Sequence, residues 1–160
     1  MERATYSYNT AMRRSKPSAP AKWLHDTGRL PRKGNPNGYT ALDYGCGRGR
    51  DATEYGMSKY DPYWYDVCLG ESEYDVVLMT YVLNVLRSRE DVLNTLIGAI
   101  QHVKAGGWLY ITVRRGLKNE GETSMGYQYN VELPYPVVKK TASYVIYGIH
   151  VPKTEIMGVK

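Results

Sequence analysis

The sequence predicts an α/β fold on a mostly parallel sheet, closed by an antiparallel C-terminal strand pair and reduced in size. Three observations carry this. A short apolar run, Tyr39–Tyr44, breaks into glycines at 45, 47 and 49 before a helix-compatible segment. Two further runs, Tyr74–Thr80 and Trp108–Arg114, have the near-continuous hydrophobic character of strands buried on both faces. A helical pattern lies between them, and strand–helix–strand alternation marks a parallel sheet.

The elements follow in order. Residues 1–19 hold Ser, Pro, Asn and several charges, with at most a weak helical turn near Thr10–Arg14. Pro20 suits the first turn of a short helix over Ala21–Thr27, stopped by Gly28. Leu30–Gly38 is punctuated by Pro and Gly, a surface connection into the strand Tyr39–Tyr44. A two-turn helix over about Arg48–Tyr55 leads to a short strand, Lys59–Asp61, and residues 62–73 show no second helix. Tyr74–Thr80 is the central strand, and Tyr81–Leu86 carries the chain out of its C-terminal end. Ser88 caps the next helix with Asp91 in the capping-box place. Val92, Leu93, Leu96, Ile97, Ile100 and Val103 form its apolar stripe, and Gly106-Gly107 stops it. After the strand Trp108–Arg114 come a polar loop (Gly116–Gly126), an extended stretch (Tyr127–Leu133) and the closing pair Val137–Lys139 with Tyr144–Val151. The expected organisation is a basic arm (1–19), one domain (20–152) and a loose tail (153–160).

With 160 residues and 42% hydrophobic content, one domain with a real core is expected. No stretch approaches the roughly 20 apolar residues of a membrane helix, so no membrane partner is expected. Met1-Glu-Arg-Ala-Thr lacks an apolar signal region, and Cys46 and Cys68 make neither a disulfide framework nor a metal cluster. A cytoplasmic protein without structural zinc is the expectation. The net charge of +5 is unevenly spread: residues 1–40 carry eight Lys/Arg against Glu2 and Asp26, while the remainder carries 13 basic and 14 acidic side chains. The N-terminal segment therefore attracts an anionic partner such as DNA, RNA or a nucleotide, or else is a solvated arm.

Gly45, Gly47 and Gly49 let the backbone turn sharply and approach a ligand, with the following helix aiming free N–H groups at the same place. That is a nucleotide-type cofactor loop. A nicotinamide or flavin fingerprint, Gly-x-Gly-x-x-Gly, needs glycine at position 50, which is arginine. Asp61 lies near the place, about 20 residues on, where such folds put an acid for ribose hydroxyls.

Asp43-Tyr-Gly-Cys-Gly-Arg-Gly49 resembles the first motif of the class I S-adenosylmethionine-dependent methyltransferases, whose sheet is Rossmann-like. Asp61, Tyr74–Leu83 and Val103-Lys-Ala-Gly-Gly-Trp-Leu-Tyr-Ile111 agree with it. The resemblance extends to small phage-like proteins and the DNA phosphorothioation-associated methyltransferases through Thr10–Leu24, Leu42–Asp51 with Tyr60–Tyr63, Tyr81–Leu86, Ile111–Arg115 and Gly126–Gln128. Arg50 departs from it, standing where those relatives often carry an acid.

The resemblance implies S-adenosylmethionine as donor and S-adenosylhomocysteine as product. It places Asp43, Tyr44, Gly45, Cys46 and Gly47 around the methionine portion, Asp61 on the ribose, Tyr63 or the 66–73 loop beside the adenine, and Thr80 and Tyr81 on the sulfonium side, with Pro62 also among the cofactor-binding residues. Displacement from a sulfonium has a good leaving group, so alignment and desolvation suffice and no metal is required. Tyr81 and Asn84 are the expected catalytic residues, with Arg13, Arg14, Lys16, Arg114, Tyr127 and Gln128 on the acceptor side. Bland alternatives exist: Asn84 as a helix cap, Arg114 and Arg115 paired with Glu120, Glu122 or Asp75. Two other functions compete with methyl transfer, a non-catalytic accessory protein binding the cofactor and nucleic acid, and cleavage of S-adenosylmethionine.

Overall fold

The computed structural model describes residues 11–32, 35–124 and 126–153. The order is α1 (Ala19–Asp26), β1 (Ala41–Tyr44), α2 (Arg50–Tyr55), β2 (Ser58–Tyr60), β3 (Tyr74–Thr80), a 3-10 turn (Leu83–Val85), α3 (Arg89–Ile100), β4 (Val103–Arg114), β5 (Gly121–Thr123), β6 (Gly126–Gln128), β7 (Val137–Lys140) and β8 (Tyr144–His150). Six strands make one sheet in the order β2-β1-β3-β4-β8-β7. The first four run parallel, while β8 is antiparallel to β4 and β7 to β8. The mostly parallel sheet with an antiparallel end is as the sequence predicts.

Alternation across the pleat splits the core in two. Val77 and Met79 of β3, with Leu109, Ile111 and Val113 of β4, pack toward Val92, Leu96 and Ile100 of α3. Val76 and Leu78 point the other way, to Ala21 and Leu24 of α1 and Ala52 of α2. Each fully buried aliphatic side chain contributes roughly 1.5–3 kcal/mol, so β3, with four in succession, is the spine. Its C-terminal end, beside that of β1, is where chemistry can be placed.

Helix caps behave as their side chains dictate. Ser88 accepts from Asp91 N, as its spacing predicts, and Ser18 accepts from Ala21 N at the start of α1. Two expectations need correction. Leu93 and Ile97 are 58% and 46% exposed, because α3 turns Thr95 and Ala99 inward instead. The loop expected over Gly116–Gly126 contains the first strand of the β5–β6 hairpin, whose second strand supplies Tyr127. Gly98 of α3 stands where the Tyr44 hydroxyl leaves no room: a Cβ there would lie 2.5 Å from that oxygen.

Candidate active site

The turn after β1 is built by backbone geometry. Gly45, Gly47 and Gly49 all have positive φ (86°, 54° and 79°), a region that costs side-chain-bearing residues strain. A Cβ at Gly45 would fall 2.4 Å from Val82 Cγ2. Gly45 N and Cys46 N donate to Tyr60 O at 2.7 and 3.0 Å, tying the turn to the end of β2. Asp61 Oδ2 accepts from Gly47 N at 2.8 Å, while Oδ1 accepts from Tyr63 N and Trp64 N at 2.9 and 3.0 Å. One carboxylate thus holds the glycine turn and the Pro62–Trp64 corner in fixed relation.

Above this turn lies a cavity of about 170 Å³. Asp43, Tyr44, Gly45, Cys46, Gly47, Asp61, Pro62, Tyr63, Thr80 and Tyr81, from β1, β3 and the turns after β1, β2 and β3, all line it. So do residues that sequence reasoning missed: Ala11, Met12, Arg48, Arg50, Asp51, Trp64, Val82, Val85 and Thr95. No local pattern announces that the chain ahead of α1 reaches the cavity; Ser18, found here as the N-cap of that helix, is the nearest local feature.

Asp43 is 3% exposed and accepts no hydrogen bond from any described residue. Its carboxyl is pushed up to about 8, first by burial, then by the charges of Asp51 and Asp61, with Arg14 acting in the opposite sense. Burial raises the Cys46 thiol far above its usual range, so it is an inert packing group. Tyr81 adopts φ 59°, a strained conformation for an aromatic residue, of order 1–3 kcal/mol. Its amide donates to Thr112 O at 2.9 Å, which keeps the chain in that turn at the end of β3. Burial raises the Tyr81 phenol despite the opposing charges of Arg114 and Arg14, so its hydroxyl keeps its proton at neutral pH.

Arg114 lies 4.4 Å and Arg14 5.5 Å from the centre of the Tyr81 ring. Neither forms an ion pair with any described residue, and the expected alternative partners are engaged elsewhere. Glu122 pairs with Arg87, Glu120 accepts from Asn130, and Asp75 accepts from Thr40. Arg115 donates to Thr141 O.

Of the expected acceptor-side residues only Arg14 lines the cavity; Arg114 meets the Tyr81 ring from outside the lining, and the others are not brought here. Asn84 is 1% exposed; its Nδ2 donates to Tyr129 O at 2.9 Å and its Oδ1 accepts from Arg114 N at 2.8 Å. Both ends of its amide are consumed, so it positions the Arg114 backbone and does not touch the cavity. Arg13 and Lys16 are exposed and outside the lining. Tyr127 and Gln128 are also outside it, with the Tyr127 ring against Arg87 and edge-on to Tyr129. No histidine lines it either: His25 stacks on Tyr55, and His102 and His150 contact the Ser72 and Gly106 carbonyls.

A mostly parallel sheet with its cavity over the glycine turn between β1 and α2 defines a class I S-adenosylmethionine-binding methyltransferase fold. The model of a family described as a methyltransferase domain matches residues 12–136, and the chain belongs to that family. Among curated proteins, none is similar to it in sequence. Solved structures share the fold. The 1,6-didemethyltoxoflavin-N1-methyltransferase of Burkholderia thailandensis, with bound 1,6-didemethyltoxoflavin and S-adenosylhomocysteine, superposes with a TM-score of 0.54 at 16% identity, covering 84% of this chain and 78% of that one. A structure described by the conversion of a disulfide bond into a thioacetal group during echinomycin biosynthesis gives 0.58 at 12% identity, over 88% and 84%. TehB from Haemophilus influenzae gives 0.52 at 12% identity, over 85% and 62%.

By its family the protein is a methyltransferase, and the donor to set against its cavity is S-adenosylmethionine. The cavity's own chemistry fits that donor. Gly45 brings bare backbone to the cavity wall, where Val82 fills the place a side chain would take, and Asp43 offers a carboxyl to which no described residue donates. Thr80 Oγ1 and Trp64 Nε1 are buried without a protein partner. Among the described residues no helix is long and apolar enough to cross a membrane, and no cluster could hold a metal ion.

Proposed function

We propose that this methyltransferase acts on an anionic acceptor, a nucleotide or nucleic acid, held by Arg14 and Arg114 over Tyr81. The supporting observation is the pair of guanidinium groups on one aromatic ring, neither ion-paired with a described residue, with Arg14 lining the donor cavity and Arg114 on the same ring outside the lining. Partly buried positive charge without an ion pair favours a negatively charged ligand. When bound, S-adenosylmethionine supplies a methyl group on a sulfonium, an electrophile that a suitably aligned acceptor atom displaces in line. Gly45, Cys46 and Gly47 would hold its methionine portion with Asp43, Asp61 its ribose, and Pro62, Tyr63 and Trp64 the adenine side. Tyr81, protonated and in a constrained turn, donates a hydrogen bond at the acceptor. The contribution of these groups is orientation and exclusion of water.

The finer kinship fits this reading. Thr10–Leu24 and Tyr81–Leu86, which carry the likeness to the small phage-like and DNA phosphorothioation-associated methyltransferases, supply Arg14 and Tyr81 themselves. We place the protein in the cytoplasm, with residues 20–152 as its domain.

Labelled S-adenosylmethionine offered together with nucleic-acid, nucleotide and neutral metabolite pools tests the reading. Label should enter an anionic acceptor, with incorporation falling about tenfold in Arg14→Gln or Arg114→Gln while S-adenosylhomocysteine still binds. Label entering only neutral molecules would overturn it. Label appearing only as free breakdown product would instead mean cleavage, and binding without any label transfer an accessory role.

A further inference from the structure

Asp51 stands on the second residue of α2, just past the glycine turn and at the cavity wall, where a carboxylate invites reading as a ligand group. Each of its oxygens instead accepts a hydrogen bond from Ser18. Ser18 N donates to Oδ1 and Ser18 Oγ to Oδ2, each at 2.7 Å, and both residues are buried. Bonds of this length to an ionised acceptor are the strong, charge-assisted kind. The Ser18 hydroxyl gives its proton to Asp51 and accepts from Ala21 N, so one side chain joins the start of α1 to the start of α2.

Two further contacts run the same way. Arg48 Nε donates to Ala11 O and Arg50 Nε to Ser15 O, both at 3.2 Å. Ala11 lies against Gly47, 3.3 Å from where a Cβ would be. Residues 11–18 are therefore a strap fastened to the donor turn at three points, and Arg14 sits between the fastenings. Its side chain makes no ion pair with any described residue, so its place over Tyr81 is set by the strap's backbone.

We propose that Asp51 is a positioning residue for the acceptor: through Ser18 it clamps residues 11–18 onto the donor turn and so sets Arg14 over Tyr81. This rests on the reading of Arg14 and Arg114 as the anion-holding pair. Acceptor affinity depends on the clamp more steeply than donor affinity does, because the donor's turn is held independently by Tyr60 O and Asp61.

The test uses the full chain saturated with S-adenosylhomocysteine and titrated with inorganic phosphate, following the Nε–H signals of Arg14 and Arg114 by NMR and the amide exchange of residues 11–18. In the wild type both arginine signals should move along one binding curve. Asp51→Asn should weaken phosphate about tenfold, the loss of one charge-assisted bond. It should also uncouple the Arg14 signal from the titration while Arg114 still responds, and speed exchange of the Ser18 amide. S-adenosylhomocysteine affinity should fall less than phosphate affinity. Ser18→Ala leaves the carboxylate in place and should produce the same pattern more weakly, carrying the test if Asp51→Asn does not fold. Phosphate binding weakened by Arg14→Gln but unchanged by both Asp51→Asn and Ser18→Ala overturns the clamp alone. Phosphate binding unchanged by Arg14→Gln and Arg114→Gln overturns the anion-holding pair, and the clamp's role with it.

Discussion

The two sides of the cavity are made of different material. The donor side is backbone: three positive-φ glycines, two amides on the Tyr60 carbonyl, and an Asp61 carboxylate already bound to three N–H groups. The proposed acceptor side is side chains brought from remote positions, Arg14 from the strap and Tyr81 from the end of β3 in the lining, and Arg114 from the end of β4 on the Tyr81 ring, neither arginine ion-paired with a described residue. A donor that is the same for every member of a family can be gripped by a conserved kind of turn. An acceptor particular to one protein has to be met by side chains, and these tolerate change without disturbing the fold.

The comparison breaks most sharply at Gly45. Gly45→Ala forces a Cβ into Val82 at a positive φ, a strain of roughly 1–3 kcal/mol, and calorimetry should show S-adenosylhomocysteine affinity falling by up to about 100-fold. The arginine substitutions are the reciprocal case, since they should cost acceptor transfer and spare donor binding.

A gentler probe is pH. Asp43, at about 8, is protonated at neutral pH in the free protein. Its folded value lies above its unfolded one, so its contribution to stability is fully present below the unfolded value of about 4 and is lost as pH rises toward 8. Asp43→Asn should flatten that decline, read from urea unfolding midpoints between pH 5 and 9. A cationic amino group arriving beside Asp43 favours the ionised form. Wild-type binding of S-adenosylhomocysteine should therefore release up to about one proton near pH 7, and Asp43→Asn none, measured calorimetrically in buffers of different ionisation heat. Unchanged proton release in the variant would place the donor's amino group elsewhere. The smallest effect belongs outside both sides: Leu93→Gln on the exposed face of α3 should shift stability by no more than about 0.5 kcal/mol and leave binding unaltered.

What the sequence made legible follows the same division. The glycine turn, Asp61 and the end of β3 could be read because their geometry is dictated by residues adjacent in the chain: glycine spacing, a strand terminus, a fixed interval to an acid. The strap could not. Ser18 and Asp51 are 33 residues apart, Asn84 and Tyr129 45 apart, and no local pattern announces either contact. Asn84 illustrates the limit, since an amide after a strand looks alike in sequence whether it faces a substrate or, as here, two backbone groups. The stripe on α3 departs differently: Leu93 and Ile97 satisfy helical periodicity, but the helix turns the smaller Thr95 and Ala99 inward in their place.

Tyr44 reaches from the cavity wall to α3, its hydroxyl filling the notch at Gly98 and its ring against Tyr60. Glycine inside a helix forfeits about 1 kcal/mol relative to alanine, so α3 is intrinsically weak where the phenol enters. The phenol occupies that notch, and Tyr44 also lines the cavity. The helix and the pocket therefore share a side chain, and since Thr95 of α3 lines the cavity too, a substitution at Gly98 that displaces the phenol reaches the pocket wall from two sides.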